Sequence, residues 1–196
     1  MTPKTSLPAA PGGTGDPGAT IEPLATSEPG ATRGPRETSA IVVAPDDPRS
    51  EDVRAVLENH LAFARNESPP EHVHALDVDA LLEPAVTVFS ARRHGVVLGV
   101  GALKHLNSSH AELKSMHTSH GARRQGVGSA LVAHLLAFAA RAGYERVSLE
   151  TGMMGAFAPA RALYAKFGFV ECDPFDGYTV NPYSTCMTLS LRPATG

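Results

Sequence analysis

The run Arg123-Arg124-Gln125-Gly126-Val127-Gly128-Ser129 combines two guanidiniums with glycines two residues apart. If a helix opens at Val127, its first amides have no intrahelical partner and carry the positive end of the helix dipole. Glycines there remove side chains, so that a phosphate can approach the backbone. The same glycines would equally permit a plain tight turn, and their spacing alone leaves both readings open. A P-loop is excluded, because Gly-x-x-x-x-Gly-Lys-Ser/Thr is absent. A dinucleotide fingerprint, Gly-x-Gly-x-x-Gly, meets Leu131 at its third position, although Glu150 lies at about the ribose-binding distance. The preceding segment, Glu112 to His117, alternates polar and apolar residues, whereas a dinucleotide fold opens on a continuous apolar strand.

The other chemistry-bearing types are histidine and cysteine. Nine histidines include His72-x-His74, His117 and His120, with no carboxylate or cysteine completing a standard ligand spacing, so no metal site is expected. Cys172 and Cys186 sit in apolar, strand-like contexts and read as packed thiols rather than nucleophiles.

These residues need elements to position them. Ile41-Val42-Val43 starts the folded part as a short strand. Asp47 before Pro48 reads as an N-cap, and Val53, Val56, Leu57, Leu61 and Ala64 recur at helical spacing until Ser68-Pro69-Pro70. A short helix follows at Ala80-Leu81-Leu82. Strands are expected at 85–91 and 96–106, joined by a turn at Arg92-Arg93-His94-Gly95, and a third at 111–118. Val127, Leu131, Leu135, Phe138 and Ala142 mark a helix that Gly143 stops. A strand at 147–150, a helix at 159–167 and late strands at 169–170 and 183–191 complete a β-α-α-β-β-β-α-β-α-β-β order. The fold class is α/β with a mixed sheet, since a strand-helix-strand unit implies a parallel crossover.

Composition limits the remaining choices. Residues 1–39 hold seven prolines and six glycines, and no aromatic residue occurs before Phe63. Such a stretch lacks the apolar surface to offset the entropy of ordering, so 1–39 is expected to be a disordered tail and 40–196 the domain. No apolar h-region follows Lys4, so no secretory signal is expected. The net charge of −3 argues against nucleic acid as a partner, and the absence of a long apolar run argues against a membrane span. Two cysteines make no disulfide framework, and a reducing, cytoplasmic setting is the default.

Two motifs together become specific. Arg123-x-x-Gly126-x-Gly128, between a strand and a helix, resembles motif A of the GNAT superfamily of acyl-CoA-dependent N-acetyltransferases. Downstream, Ala160-Arg161-Ala162-Leu163-Tyr164-Ala165-Lys166-Phe167-Gly168-Phe169 is similar to that superfamily's Ala-x-x-Leu-Tyr-x-Lys-x-Gly-Phe helix. The resemblance covers about residues 41–192 and extends to a subgroup of uncharacterised bacterial members. It implies a GNAT fold: a mixed, mostly antiparallel central sheet flanked by helices. Phe157 stands where the superfamily usually has Asn, and the Pro usual before motif A is missing around His120.

The resemblance also implies roles. Acetyl-CoA is the expected co-substrate, with its pyrophosphate on Arg123, Arg124, Gln125, Gly126, Val127, Gly128 and Ser129. Its pantetheine arm would lie along a splayed edge at Met116, His117 and Thr118, with Phe157 at the Asn position. An amide near Thr118 could face the developing oxyanion. A primary amine acceptor must lose a proton before attack. Glu112 is the candidate base, with Lys114 nominally on the same strand face and Glu150 as the competing carboxylate. Tyr164 is the candidate acid for the departing thiolate, against the plainer reading of a core tyrosine beside Leu163 and Phe167. His72, His74 and Asp77 fall where the superfamily often walls its acceptor site. The expectation is direct acetyl transfer in a ternary complex to a small-molecule amine, with a homodimer allowed. The alternatives are a non-catalytic acyl-CoA-binding regulator on the same fold and a nicotinamide-dependent oxidoreductase.

Overall fold

The structure is a computed structural model, and it describes residues 40–69 and 77–191. The expected tail and His72 and His74 lie outside the described residues. Seven strands form one sheet in the order β1-β2-β3-β4-β5-β7-β6. They are β1 (Val42–Pro45), β2 (Val86–Arg93), β3 (Val96–Asn107), β4 (His110–Thr118), β5 (Arg146–Gly152), β6 (Val170–Cys172) and β7 (Ser184–Ser190). Only the β4–β5 pair is parallel. It is joined by the crossover helix α2 (Val127–Arg141), as the strand-helix-strand reading requires. Helices α1 (Glu51–Glu67) and α3 (Ala158–Lys166) complete the layers.

Each face of the sheet has its own core. Leu103, Ala111, Leu113, Val147 and Leu149 pack against Val127, Leu131, Val132, Leu135 and Ala139 of α2 and against Tyr164 and Phe169. On the opposite face Val53, Val56 and Leu57 of α1 cover Val88, Val97, Val100 and Ala102. Alternation along each strand sends neighbouring residues to opposite cores. Among the described residues no helix is long and apolar enough to cross a membrane.

Local corrections have local causes. The cap of α1 is Ser50, not Asp47. Asp47 closes its own turn instead, with the Ser50 N–H on the Asp47 carbonyl (3.0 Å) and the Arg49 N–H on its carboxylate (2.9 Å). Arg92 and Arg93 belong to β2, because the hairpin needs only His94-Gly95, both at positive φ, to reverse. In α2 it is Ala139 that is buried, while Phe138 sits at the core's margin against Phe89.

Candidate active site

The site begins where β4 stops being an ordinary strand. His110–Leu113 pair with β5 in register, His110 with Arg146 through Leu113 with Leu149. Beyond Leu113 the β4–β5 pairing ends, although β4 runs on to Thr118 against β3 and β5 runs on to Gly152 against β7. An extra residue in β4 accounts for the parting. Val100 pairs with His117 and Ala102 with Lys114, so three steps on β4 oppose two on β3. The bulge carries Ser115 at φ 52°, a left-handed conformation uncommon outside glycine. Its Oγ is buried and, among the described residues, has no hydrogen-bond partner. Such strain persists where surrounding structure enforces it, often at ligand sites.

The opened end of β4 leads directly to the start of α2. Arg124 (φ 60°) and Gly126 (φ 84°) both turn left-handed, a backbone that gathers successive N–H groups into an anion-binding concavity. Gly126 is the N-cap, and no side chain caps the helix. Ala130 N–H is bonded to the Gly126 carbonyl at 2.9 Å, which leaves the preceding amides to other acceptors. A Cβ on Gly126 would meet nothing within 4 Å, so the space before these amides is open. A Cβ on Gly128 would lie 3.0 Å from Leu163 Cδ2 and 3.8 Å from Thr118 Oγ1, which places α3 and the end of β4 beside the cradle. Val127 is in the core. Arg123 and Arg124 are exposed at the mouth. The Gln125 side chain braces the loop, donating to the Gly121 carbonyl (2.8 Å) and accepting from Arg93 (3.0 Å). An open cradle, a strand edge without a partner among the described residues and the Ser115 hydroxyl together fit a long ligand with phosphate at one end.

On the α1 face of the sheet lies a buried polar cluster. Glu112 is 1 % exposed and Lys114 9 %, so their pair is no surface feature. Glu112 Oε1 accepts from Lys114 Nζ (3.0 Å) and from the Tyr178 hydroxyl (2.6 Å). Glu150, one residue past Leu113's partner on β5, is opposite Cys186 in register. Its charge adds to the burial that raises the pKa of Tyr164, so that phenol stays protonated at working pH. Tyr164 itself packs edge-on against Phe169 (5.8 Å) within the α2-side core. By alternation from Leu113 and Leu149, Glu112 and Glu150 point to the α1 face of the sheet, opposite the face on which Tyr164 packs.

Aromatic rings close the α1 side. His117 lies 5.4 Å from His60 and 6.1 Å from Phe63, and Phe63 lies 5.1 Å from Phe157. Phe157 thus packs α3's entrance onto α1. Met116 points the other way, into the α2-side core, so only its backbone lines the opening. Burial pushes both His60 and His117 down to about 4, the first helped by His117 and Lys114 and the second by Arg123. Both rings are neutral near pH 7. Asp77 lies before the 3₁₀ turn at Ala80–Leu82 and accepts from the Ala80 N–H (2.9 Å). The sequence reading missed His60, Phe63 and Tyr178. For Tyr178 a signal exists: Asp176-Gly177 marks a turn that returns the chain to the sheet.

The architecture is a mixed sheet that parts beside an uncapped helix start, and known proteins supply its family. The sequence model of the Acetyltransferase (GNAT) family matches residues 53–169. An uncharacterised N-acetyltransferase of Bacillus subtilis, YsnE, is 43 % identical over 146 residues, 74 % of this chain and 97 % of the relative. An uncharacterised N-acetyltransferase of Escherichia coli, YedL, is 40 % identical over 146 residues, 74 % of this chain and 92 % of that protein. A GNAT family acetyltransferase from Elizabethkingia anophelis, solved with acetyl-CoA bound, shares the fold at TM-score 0.58 and 17 % identity, over 77 % of this chain and 98 % of its own. The chain belongs to the GNAT acetyltransferase family and is an acyltransferase. That membership displaces the nicotinamide-dependent reading.

Proposed function

We propose that this protein moves the acetyl group of acetyl-CoA directly to a primary amine within a ternary complex. The observation that carries the reading is the opening between β4 and β5, set against the uncapped amides of α2. The amides of Gly126 to Ser129 would hold the pyrophosphate, with Arg123 and Arg124 at the mouth. The free backbone edge of Ser115 to Thr118 would hold the pantetheine arm, and an amide near Thr118 would face the thioester carbonyl. Glu112 would take the amine proton and Tyr164 would return one to the coenzyme A thiolate. Retention of both proton-transfer groups favours an enzyme over a non-catalytic acyl-CoA binder. Acetyl-CoA bound to a structural neighbour supports the donor. The 40–196 domain boundary is supported by relatives whose nearly whole length aligns to 146 residues. The free thiols Cys172 and Cys186 support a reducing, cytoplasmic setting.

The test is an acetyl-CoA-dependent screen against a broad amine library, read as coenzyme A release and as acetylated product. Transfer to an amine, absent in Glu112→Gln and Tyr164→Phe, is the expected result. Tight acetyl-CoA binding without transfer to any amine would favour the non-catalytic reading.

A further inference from the structure

The segment between β6 and β7 crosses the sheet and returns one tyrosine to the buried cluster. Phe175-Asp176-Gly177-Tyr178 is a tight turn, with Tyr178 N–H on the Phe175 carbonyl at 2.9 Å. Its two central residues have φ 44° and 85°, a pair of left-handed conformations that Asp-Gly accommodates at low strain. Three contacts fasten the turn to β3 and β4. Asp176 accepts from Lys104 (3.1 Å), the Phe175 ring packs on His110 (5.3 Å) and on Tyr178 (5.2 Å), and Tyr178 reaches Glu112.

The hydrogen-bond directions at Tyr178 are fixed by chemistry. The Lys114 ammonium can only donate, and it does so to the Tyr178 oxygen at 2.7 Å. The phenol proton therefore goes to Glu112 Oε1, at 2.6 Å. Lys114 also donates to that same carboxylate oxygen, closing a ring of three groups. Among the described residues, no hydrogen bond reaches the second oxygen, Oε2. Burial, then the Glu112 carboxylate, pushes the Tyr178 phenol well above its ordinary range, so it acts as a donor and never as a base at working pH. Glu150 and Cys186 add to that push from β5 and β7. His110, Lys114 and Glu112 face the cluster from β4, Lys104 from β3, Asp176 from the turn and His60 from α1.

We propose that Tyr178 is a positioning residue of the acceptor site, which with Lys114 holds Oε1 of Glu112 and leaves Oε2 to receive the acceptor's proton. The 173–183 loop is then part of the base, since Glu112 has its full set of donors only when the Asp176-Gly177 turn is seated. The kinetic side of this inference rests on the transfer reading above, while the coupling between Tyr178 and Glu112 does not.

The experiment has one arm for each. Tyr178→Phe keeps the ring against Phe175 and Lys114 and removes only the hydroxyl. It should lower kcat/KM for the amine by roughly 10-fold or more, with the acetyl-CoA Kd unchanged. The acidic limb of its pH–rate profile should move to higher pH, because a donor that favours the ionised carboxylate is gone. An unmoved limb overturns the positioning role. Independently of any substrate, ring-labelled tyrosine NMR should show one phenol that stays protonated beyond the others in the wild-type protein. Tyr178→Phe assigns that signal. In Glu112→Gln the same phenol should ionise at lower pH, and no change there overturns the coupling. Should Tyr178→Phe fail to fold, Lys104→Gln releases the Asp176 anchor from outside the trio. It should move the acidic limb in the same direction by less, and an unmoved limb again overturns the proposal.

Discussion

His110–Leu113, the first half of β4, has β3 on one side and β5 on the other. Ser115–Thr118, the second half, keeps β3 alone. The first half behaves as core, with Ala111 and Leu113 buried on one face and Glu112 locked in an ion pair on the other. The second half carries an orphaned hydroxyl, a left-handed serine and His117, whose ring stays neutral near pH 7, as does that of His60 beside it on α1. One strand therefore does two jobs, and the bulge at Ser115 separates them. The paired half fixes the carboxylate in place. The open half offers backbone to a ligand, a few residues away.

The largest effect should come from breaking the paired half. Lys114→Met keeps the apolar stem and removes the ammonium that faces Glu112. A buried ion pair that loses one partner costs about 3–5 kcal/mol. Tyr178 still bonds Glu112, so the lower end, about 3 kcal/mol, is expected from urea denaturation. A loss below about 1 kcal/mol would show that Glu112 is solvated and that the two halves of β4 are less distinct than their pairing implies.

Tyr164→Phe probes the α2 side of the sheet. The Phe169 contact and the helix should persist, with a stability cost of ~1 kcal/mol at most. If the phenol protonates the thiolate, turnover falls by roughly 10²-fold while acetyl-CoA affinity holds. Normal turnover in the folded variant, with chemistry shown to limit the rate, would make Tyr164 a core residue only.

These two sites also show how far the sequence could be read. The order of helices and strands along the chain, the α2 stripe of Val127, Leu131 and Leu135 and its stop at Gly143 were legible because periodicity and caps act locally. The pairing of Glu112 with Lys114 followed from the two-residue period of a strand. Their burial did not, because the cover comes from Tyr178, 66 residues onward. The parting of β4 from β5 was expected only through family resemblance, since no residue type announces a bulge at Ser115. The start of α1 was misplaced at Asp47 because both residues can cap, and the Asp47-to-Ser50 turn chooses between them.

A smaller effect should follow from filling the cradle. Gly128 is a poor place to test it, because a side chain there presses on Leu163. Gly126 is better, with open space before it. Asn tolerates the left-handed backbone that Gly126 adopts. Gly126→Asn should therefore leave the thermal midpoint nearly unchanged and weaken acetyl-CoA by about tenfold, equal to ~1.4 kcal/mol, as its side chain fills the anion's place. Unchanged affinity by calorimetry would put the phosphate elsewhere.

The smallest effect tests the open half through pH. His60 and His117 are held near 4 by burial, against about 6.5 in an unfolded chain. Between those values the unfolded state binds protons that the folded state refuses, so stability rises with pH in this window. Above pH 6.5 both states are neutral and the contribution is flat. Lowering the pH from 7 to 5 should then cost on the order of 1 kcal/mol per histidine, less for His117, which is the more exposed to water. His60→Phe keeps a ring against His117 and removes one of the two groups. Its stability should fall less steeply between pH 6.5 and 4 than that of the wild type. Parallel slopes for variant and wild type would mean that His60 protonates readily in the folded protein, and that the open half of β4 is wetter than its packing against α1 implies.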